Sequence, residues 1–122
     1  MLAAYDDPTG VTAAFNLNML GRLNRELDAC FDLRSFPHEA RWNSEFRRIE
    51  MHLVSSCNQT VDIRALDSTF SFCAGETIWA ESSHKFWKSE LPTLARESDF
   101  EPLNMWVDRE WPFAEMLWRA GT

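Results

Sequence analysis

The chain has 122 residues, of which 45% are apolar and 25% charged, a balance that excludes a disordered or fibrous class and fits one compact domain. At this length roughly two-thirds of the unfolded surface can leave water, so a core forms without disulfide staples. Nineteen acidic residues against 12 basic ones give a net charge of -7, which argues against a phosphate-tracking surface and against nucleic acid as a partner. Cys30, Cys57 and Cys73 have no CxxC spacing and are expected to be reduced, partly buried thiols. The N-terminal stretch carries Asp6 and Asp7 with no basic residue before Arg22, and the longest uncharged run, 8–21, has only 14 residues, two of them asparagine. Neither a secretory signal nor a membrane span is expected, and a cytoplasmic location follows.

In chain order, Asp7-Pro8-Thr9-Gly10 is helix-start chemistry, with Asp7 capping free amides and Pro8 at the first helical position. Phe15, Met19, Leu23 and Leu27 recur every four residues, with Val11 and Leu20 widening the stripe, and predict a helix over 11–29. Pro37 blocks helix continuation and the pattern turns to period two. Segments 39–42 and 49–55 flank Asn43-Ser44-Glu45 as a hairpin, with Ile49, Met51 and Leu53 on one face and Glu50, His52 and Val54 on the other. Strands are also expected over 59–64 and 68–73, and Gly75 permits a bend into 76–81. Ser89 is expected to cap a helix that carries Leu91, Leu94 and Ala95 inward, with Pro92 in its first turn. Leu103, Met105 and Val107 alternate with polar or aromatic neighbours, and 113–119 return as a second strand. The predicted class is α+β: a long N-terminal helix packed on a mainly antiparallel sheet, then a helix and a C-terminal two-stranded hairpin.

The histidines His38, His52 and His84 are far apart, and Glu50 with His52 is the one pair a strand would place on a single face, so no metal site is predicted. Ser55-Ser56-Cys57 lacks the glycine-framed elbow of a hydrolase nucleophile, and no catalytic residue is assigned. Gly10, Gly21, Gly75 and Gly121 are too scattered to cradle a phosphate or dinucleotide. Glu81-Ser82-Ser83-His84-Lys85 is more suggestive. In extended geometry Glu81 and Ser83 point to one side about 7 Å apart, a carboxylate and a hydroxyl able to grip both nitrogens of an imidazole. The same spacing fits a strand end whose Glu and Ser cap the next element.

Four segments, YDDPTGVTAAFNLNML at 5–20, NRELDACFDL at 24–33, RIEMHLVS at 48–55 and AGETIWAESSHKF at 74–86, resemble the C-terminal part of the histidine-specific, S-adenosylmethionine-dependent Nα-methyltransferases of ergothioneine biosynthesis. The resemblance implies that residues 1–85 belong to a substrate (histidine) recognition domain, and that 86–122 are the helix and two strands ending a methyltransferase sheet. It further implies a substrate-binding role for Tyr5, Met51, Glu81 and Ser83. Glu81 matches the acidic residue that accepts from the substrate imidazole, Ser83 the hydroxyl at the other ring nitrogen, Tyr5 the hydroxyl that holds the carboxylate, and Met51 an apolar wall. Trp79 and His84 depart from the family pattern and are expected to reshape the pocket. The family's cofactor loop, ribose-binding acid and amine-holding asparagine are not matched here, so S-adenosylmethionine is not expected to bind this chain alone, nor the chain to catalyse alone. Three roles follow as alternatives. The chain is an enzyme component acting with a separate S-adenosylmethionine-binding chain, a binding module for histidine or an amino-acid betaine, or a truncated remnant that self-associates as a homodimer.

Overall fold

The Asp7 carboxylate starts the first helix by accepting from the backbone amides of Val11 and Thr12, both at 3.0 Å. In the computed structural model, which describes residues 2–121, that helix, α1, spans Val11–Glu26. Gly10 precedes it with φ +74°, a left-handed conformation that glycine takes without a Cβ penalty. Pro8 lies in the turn before the helix and not at its first position, because the capping carboxylate reaches four and five residues ahead. The buried face centres on Asn16 and Leu20, and Phe15, at the head of the expected stripe, is 70% exposed. A four-residue step overshoots one turn by about 40°, so Phe15 and Leu27 stand about 120° apart around the axis. Only the later members of the stripe, Met19, Leu23 and Leu27, lean on the core.

The helix stops short of the expected Ala29. Asp28 takes φ +50°, and the Asn24 amide clamps the backbone of Phe31, donating to its carbonyl and accepting from its N–H at 2.8 Å each. The chain then turns inward. Phe31 and Phe36 meet edge to face at 5.6 Å, Phe36 and Phe72 at 5.3 Å, and Leu20, Leu53, Val61 and Ile63 complete the core.

Strand β1 (His38–Asn43) pairs antiparallel with β2 (Arg48–Val54), which pairs antiparallel with β5 (Thr77–His84), giving the sheet order β1-β2-β5. Helix α1 packs on β1 and β2. Ile49, Met51 and Leu53 are buried on one face, as their alternation predicts. Between β2 and β5 the chain makes a separate hairpin, β3 (Gln59–Ile63) with β4 (Ser68–Phe72). Its neck is closed at Ser55, whose N–H donates to Glu76 O at 2.8 Å and whose carbonyl accepts from Gly75 N–H at 2.7 Å. These bonds bring β5 beside β2. The strands form three separate antiparallel sheets within the expected α+β class, the third being the C-terminal pair.

Packing divides the chain after His84. In the second unit, α2 (Leu91–Glu97) buries Ala95 and packs on β6 (Phe100–Val107), which pairs with β7 (Ala114–Ala120). Pro92 stands in the first turn. Glu90, not Ser89, occupies the capping position, and its carboxylate accepts from Trp87 N–H at 2.7 Å. The Asp108 carboxylate closes the β6–β7 turn by accepting from Glu110 and Trp111 N–H, each at 2.8 Å, which holds it below the ordinary carboxylate range. Cys30, Cys57 and Cys73 are free but exposed, not partly buried as expected, since each lies at a turn or connection outside the strands and helices. No helix among the described residues is long and apolar enough to cross a membrane.

Candidate substrate site on one sheet face

Antiparallel partners share a face, so the register fixes which side chains meet. Ala40, Met51 and Glu81 form one row across the sheet, Trp42, Ile49 and Ser83 the next, and His38, Leu53 and Ile78 the row on the other side. Met51 and Ile49 are fully buried floor residues, at 1% and 0% exposure. Tyr5 reaches this face from the segment before α1: its hydroxyl is 2.9 Å from the Ser83 hydroxyl, and its carbonyl is 2.8 Å from His38 Nε2. The four residues carried over from the resemblance therefore stand together, Met51, Glu81 and Ser83 on the sheet and Tyr5 tied to Ser83.

Beside the Met51 row, α1 and β5 border an open groove of about 500 Å³ lined by Phe15, Asn16, Met19, Leu23, Ala80 and Glu81 among others. A second groove of about 450 Å³, lined by Leu2, Ala3, Trp42 and Ile49, runs along the Ser83 row. Glu81 is exposed, and its carboxylate accepts no hydrogen bond from another described residue. A charged acceptor beside an apolar wall, with two hydroxyls one row away, can receive a planar N–H donor and hold a second polar group.

The opposite face is closed chemistry. The Glu50 carboxylate accepts from Arg48 at 2.7 Å and from Asn43 at 3.1 Å, and His52 stands 3.4 Å away with its other ring nitrogen 3.1 Å from the Thr77 hydroxyl. The Arg48 hydrogen bond, first, holds the Glu50 carboxyl below its ordinary value; burial opposes it, and Asn43 and His52 add to the lowering. The Arg48 guanidinium also lies over Phe46 and Trp79, 4.8 and 4.4 Å from the ring centres. Glu50 and His52 do share a face, yet their ligand atoms are occupied by protein donors, and no group of three metal-ligating side chains occurs among the described residues.

Trp79 and His84 belong to this closed face, in register with His52 and Arg48. A break in register between Met51 and His52, where Ala80 is the extra residue, sets Trp79 on the side opposite Glu81. The expectation that these two aromatic side chains shape the pocket is corrected to this extent: they stand behind it, and Trp79 touches Glu81 at the backbone carbonyl, 3.0 Å from its indole nitrogen. Sequence reasoning passed over Asn16 and His38. Asn16 is 4% exposed in the groove, and the signal for it was a polar residue at the centre of an otherwise apolar helix face.

The residues present do not fit S-adenosylmethionine. Gly10 caps a helix, Gly21 lies inside α1, Gly75 turns the hairpin neck and Gly121 follows β7, so no glycine-rich strand-to-helix turn exists among the described residues. No step through that cofactor is assigned to them.

A family model described as "Histidine-specific methyltransferase, SAM-dependent" matches residues 1–120. The histidine N-alpha-methyltransferase of Mycobacterium tuberculosis (strain CDC 1551 / Oshkosh) is 43% identical over 117 residues, covering 96% of this chain and 36% of that protein. That of Mycolicibacterium smegmatis is 44% identical over 108 residues, covering 88% of this chain and 34% of the relative. An N-methyltransferase of Aspergillus flavus, imqF, is 27% identical over 118 residues, 96% of this chain and 31% of that protein. The chain thus spans about a third of the length of the curated relatives it matches. With nearly its whole length matched by the family model, this chain belongs to the histidine-specific, SAM-dependent methyltransferases.

Proposed function

We propose that this chain is the histidine-recognising portion of an S-adenosylmethionine-dependent L-histidine Nα-methyltransferase of the ergothioneine-forming type. It works in the cytoplasm, where its three exposed thiols stay reduced. A separate chain brings S-adenosylmethionine and places its methyl group. The described residues supply recognition. Glu81 accepts an imidazole N–H, Ser83 meets the other ring nitrogen, Tyr5 addresses the carboxylate and Met51 forms the wall. The observation that carries this reading is the register that sets Glu81 opposite Met51 and Ser83 one row on, with the Tyr5 hydroxyl 2.9 Å from Ser83.

Glu81 is exposed here, so an imidazole bond to it competes with water. Affinity of the chain alone belongs in the millimolar range, about -4 kcal/mol. Amide NMR titration of the purified chain with L-histidine tests this. Saturable shifts at Met51, Glu81 and Ser83 that vanish in Glu81→Ala support the site; a spectrum unmoved at about 10 mM histidine shows that this chain holds no preformed half-pocket. The openness of the groove beside Glu81 also favours a second reading, a binding module for histidine or its betaine. Methyl transfer on adding an S-adenosylmethionine-binding partner separates the two. In the second unit, the exposure of Trp106, Trp111 and Phe113 favours self-association, which sedimentation at rising concentration reads directly.

A further inference from the structure

His38 stands apart from the closed network of the opposite sheet face, and the proposed substrate contacts do not use it. Its ring is half-buried and shares a row with the buried Leu53 and the half-buried Ile78. Nε2 lies 2.8 Å from the Tyr5 carbonyl. A carbonyl can only accept, so Nε2 carries a proton and donates it to Tyr5 O. The other ring nitrogen, Nδ1, is buried and has no hydrogen-bond partner. An apolar residue in the row would avoid this cost, so packing does not explain the histidine; the bond to Tyr5 does.

Within its own segment the Tyr5 N–H donates to Leu2 O at 2.8 Å. Tyr5 follows the short 3-10 turn Leu2–Ala4 and precedes α1, and the His38 bond ties its carbonyl to the sheet. The tether at His38 and the hydroxyl contact at Ser83 attach to the two rows that flank Met51 and Glu81. We infer that His38 is a positioning residue for substrate recognition: through its Nε2–H it holds the Tyr5 backbone so that the phenol lies across the Met51–Glu81 row. This inference rests on the histidine-binding reading for its consequence, but its geometric content stands apart from it.

The chain has a single tyrosine, so 13C-tyrosine labelling reports Tyr5 alone. Three measurements test the inference: the His38 tautomer from long-range 15N–1H correlations, the Tyr5 ring signals in His38→Leu and His38→Gln, and L-histidine titration of each. Gln places an amide N–H where Nε2 stands, whereas Leu fills the row without a donor. The expected result is an Nε2–H tautomer, Tyr5 signals that shift toward those of an exposed tyrosine in His38→Leu, and affinity weakened about tenfold, both restored in His38→Gln. A ring with its proton on Nδ1 and none on Nε2, or Tyr5 signals that His38→Leu leaves in place, overturns the inference; the tautomer, read on the unaltered chain, decides even if the Leu variant fails to fold. Should Tyr5 move as expected while the unaltered chain binds no histidine, the tether is supported and the substrate reading is what fails.

Discussion

The two faces of the β1-β2-β5 sheet are built from the same strands and treat their carboxylates in opposite ways. Glu50 receives Arg48 and Asn43 with His52 close by, and is largely covered, while Glu81 on the other face meets no donor among the described residues and borders an open groove. A carboxylate whose bonding capacity is spent inside the protein stabilises the fold; one left open to a groove is available to a ligand. The difference separates a face closed by internal bonds from a face that is open, without appeal to similarity.

Substitutions can sharpen or break that contrast. The largest effect is expected from Met51→Ala, because the side chain is 1% exposed and its loss leaves a cavity: thermal melts should show about 2–5 kcal/mol of destabilisation. Arg48→Ala should come next, at about 1–3 kcal/mol, from loss of the Glu50 pairing and the aromatic contacts, with histidine titration unchanged. If Arg48→Ala abolishes binding while leaving stability intact, the roles of the two faces are reversed.

Glu81→Ala should do the opposite, altering stability by less than about 0.5 kcal/mol while weakening histidine binding by about tenfold or more. The smallest effect concerns acid. Because the folded Glu50 carboxyl titrates below its ordinary value of 4.5, its stabilisation is complete above that pH and is lost as pH falls through the lower, folded value. Urea unfolding at stepped pH should therefore show a weaker loss of stability on acidification in Glu50→Gln than in the unaltered chain.

Local pattern carried much of the fold. The alternation of Ile49, Met51 and Leu53 identified the buried face of β2, and Pro37 and Gly75 marked real changes of direction. What local pattern missed depends on contacts distant in sequence or on backbone angles that composition does not encode. The end of α1 depends on Asp28 at φ +50° and on Asn24 binding a backbone seven residues ahead. The separation of the β3–β4 hairpin from the β1-β2-β5 sheet depends on Ser55 closing a hairpin neck with Gly75 and Glu76. For the site, spacing put Glu81 and Ser83 on one side of a strand, but the neighbours of that strand, the turn of Trp79 to the other face, and a tyrosine 78 residues away from Ser83 lay beyond it. The roles of Tyr5 and Met51 came from resemblance, since nothing in their immediate sequence distinguishes a pocket tyrosine from a loop tyrosine.

The extra residue at Ala80 has a consequence for how length changes act in this strand. Trp79 pairs with His52 and Glu81 with Met51, so deleting Ala80 would leave every pair intact and every side chain on its present face. What would change is the local bend, and with it the direction in which the neighbouring carboxylate leaves the strand. A single-residue deletion there is thus a steering adjustment and not a frameshift of the sheet, and it offers a way to re-aim one acidic group while the scaffold beneath it stays fixed.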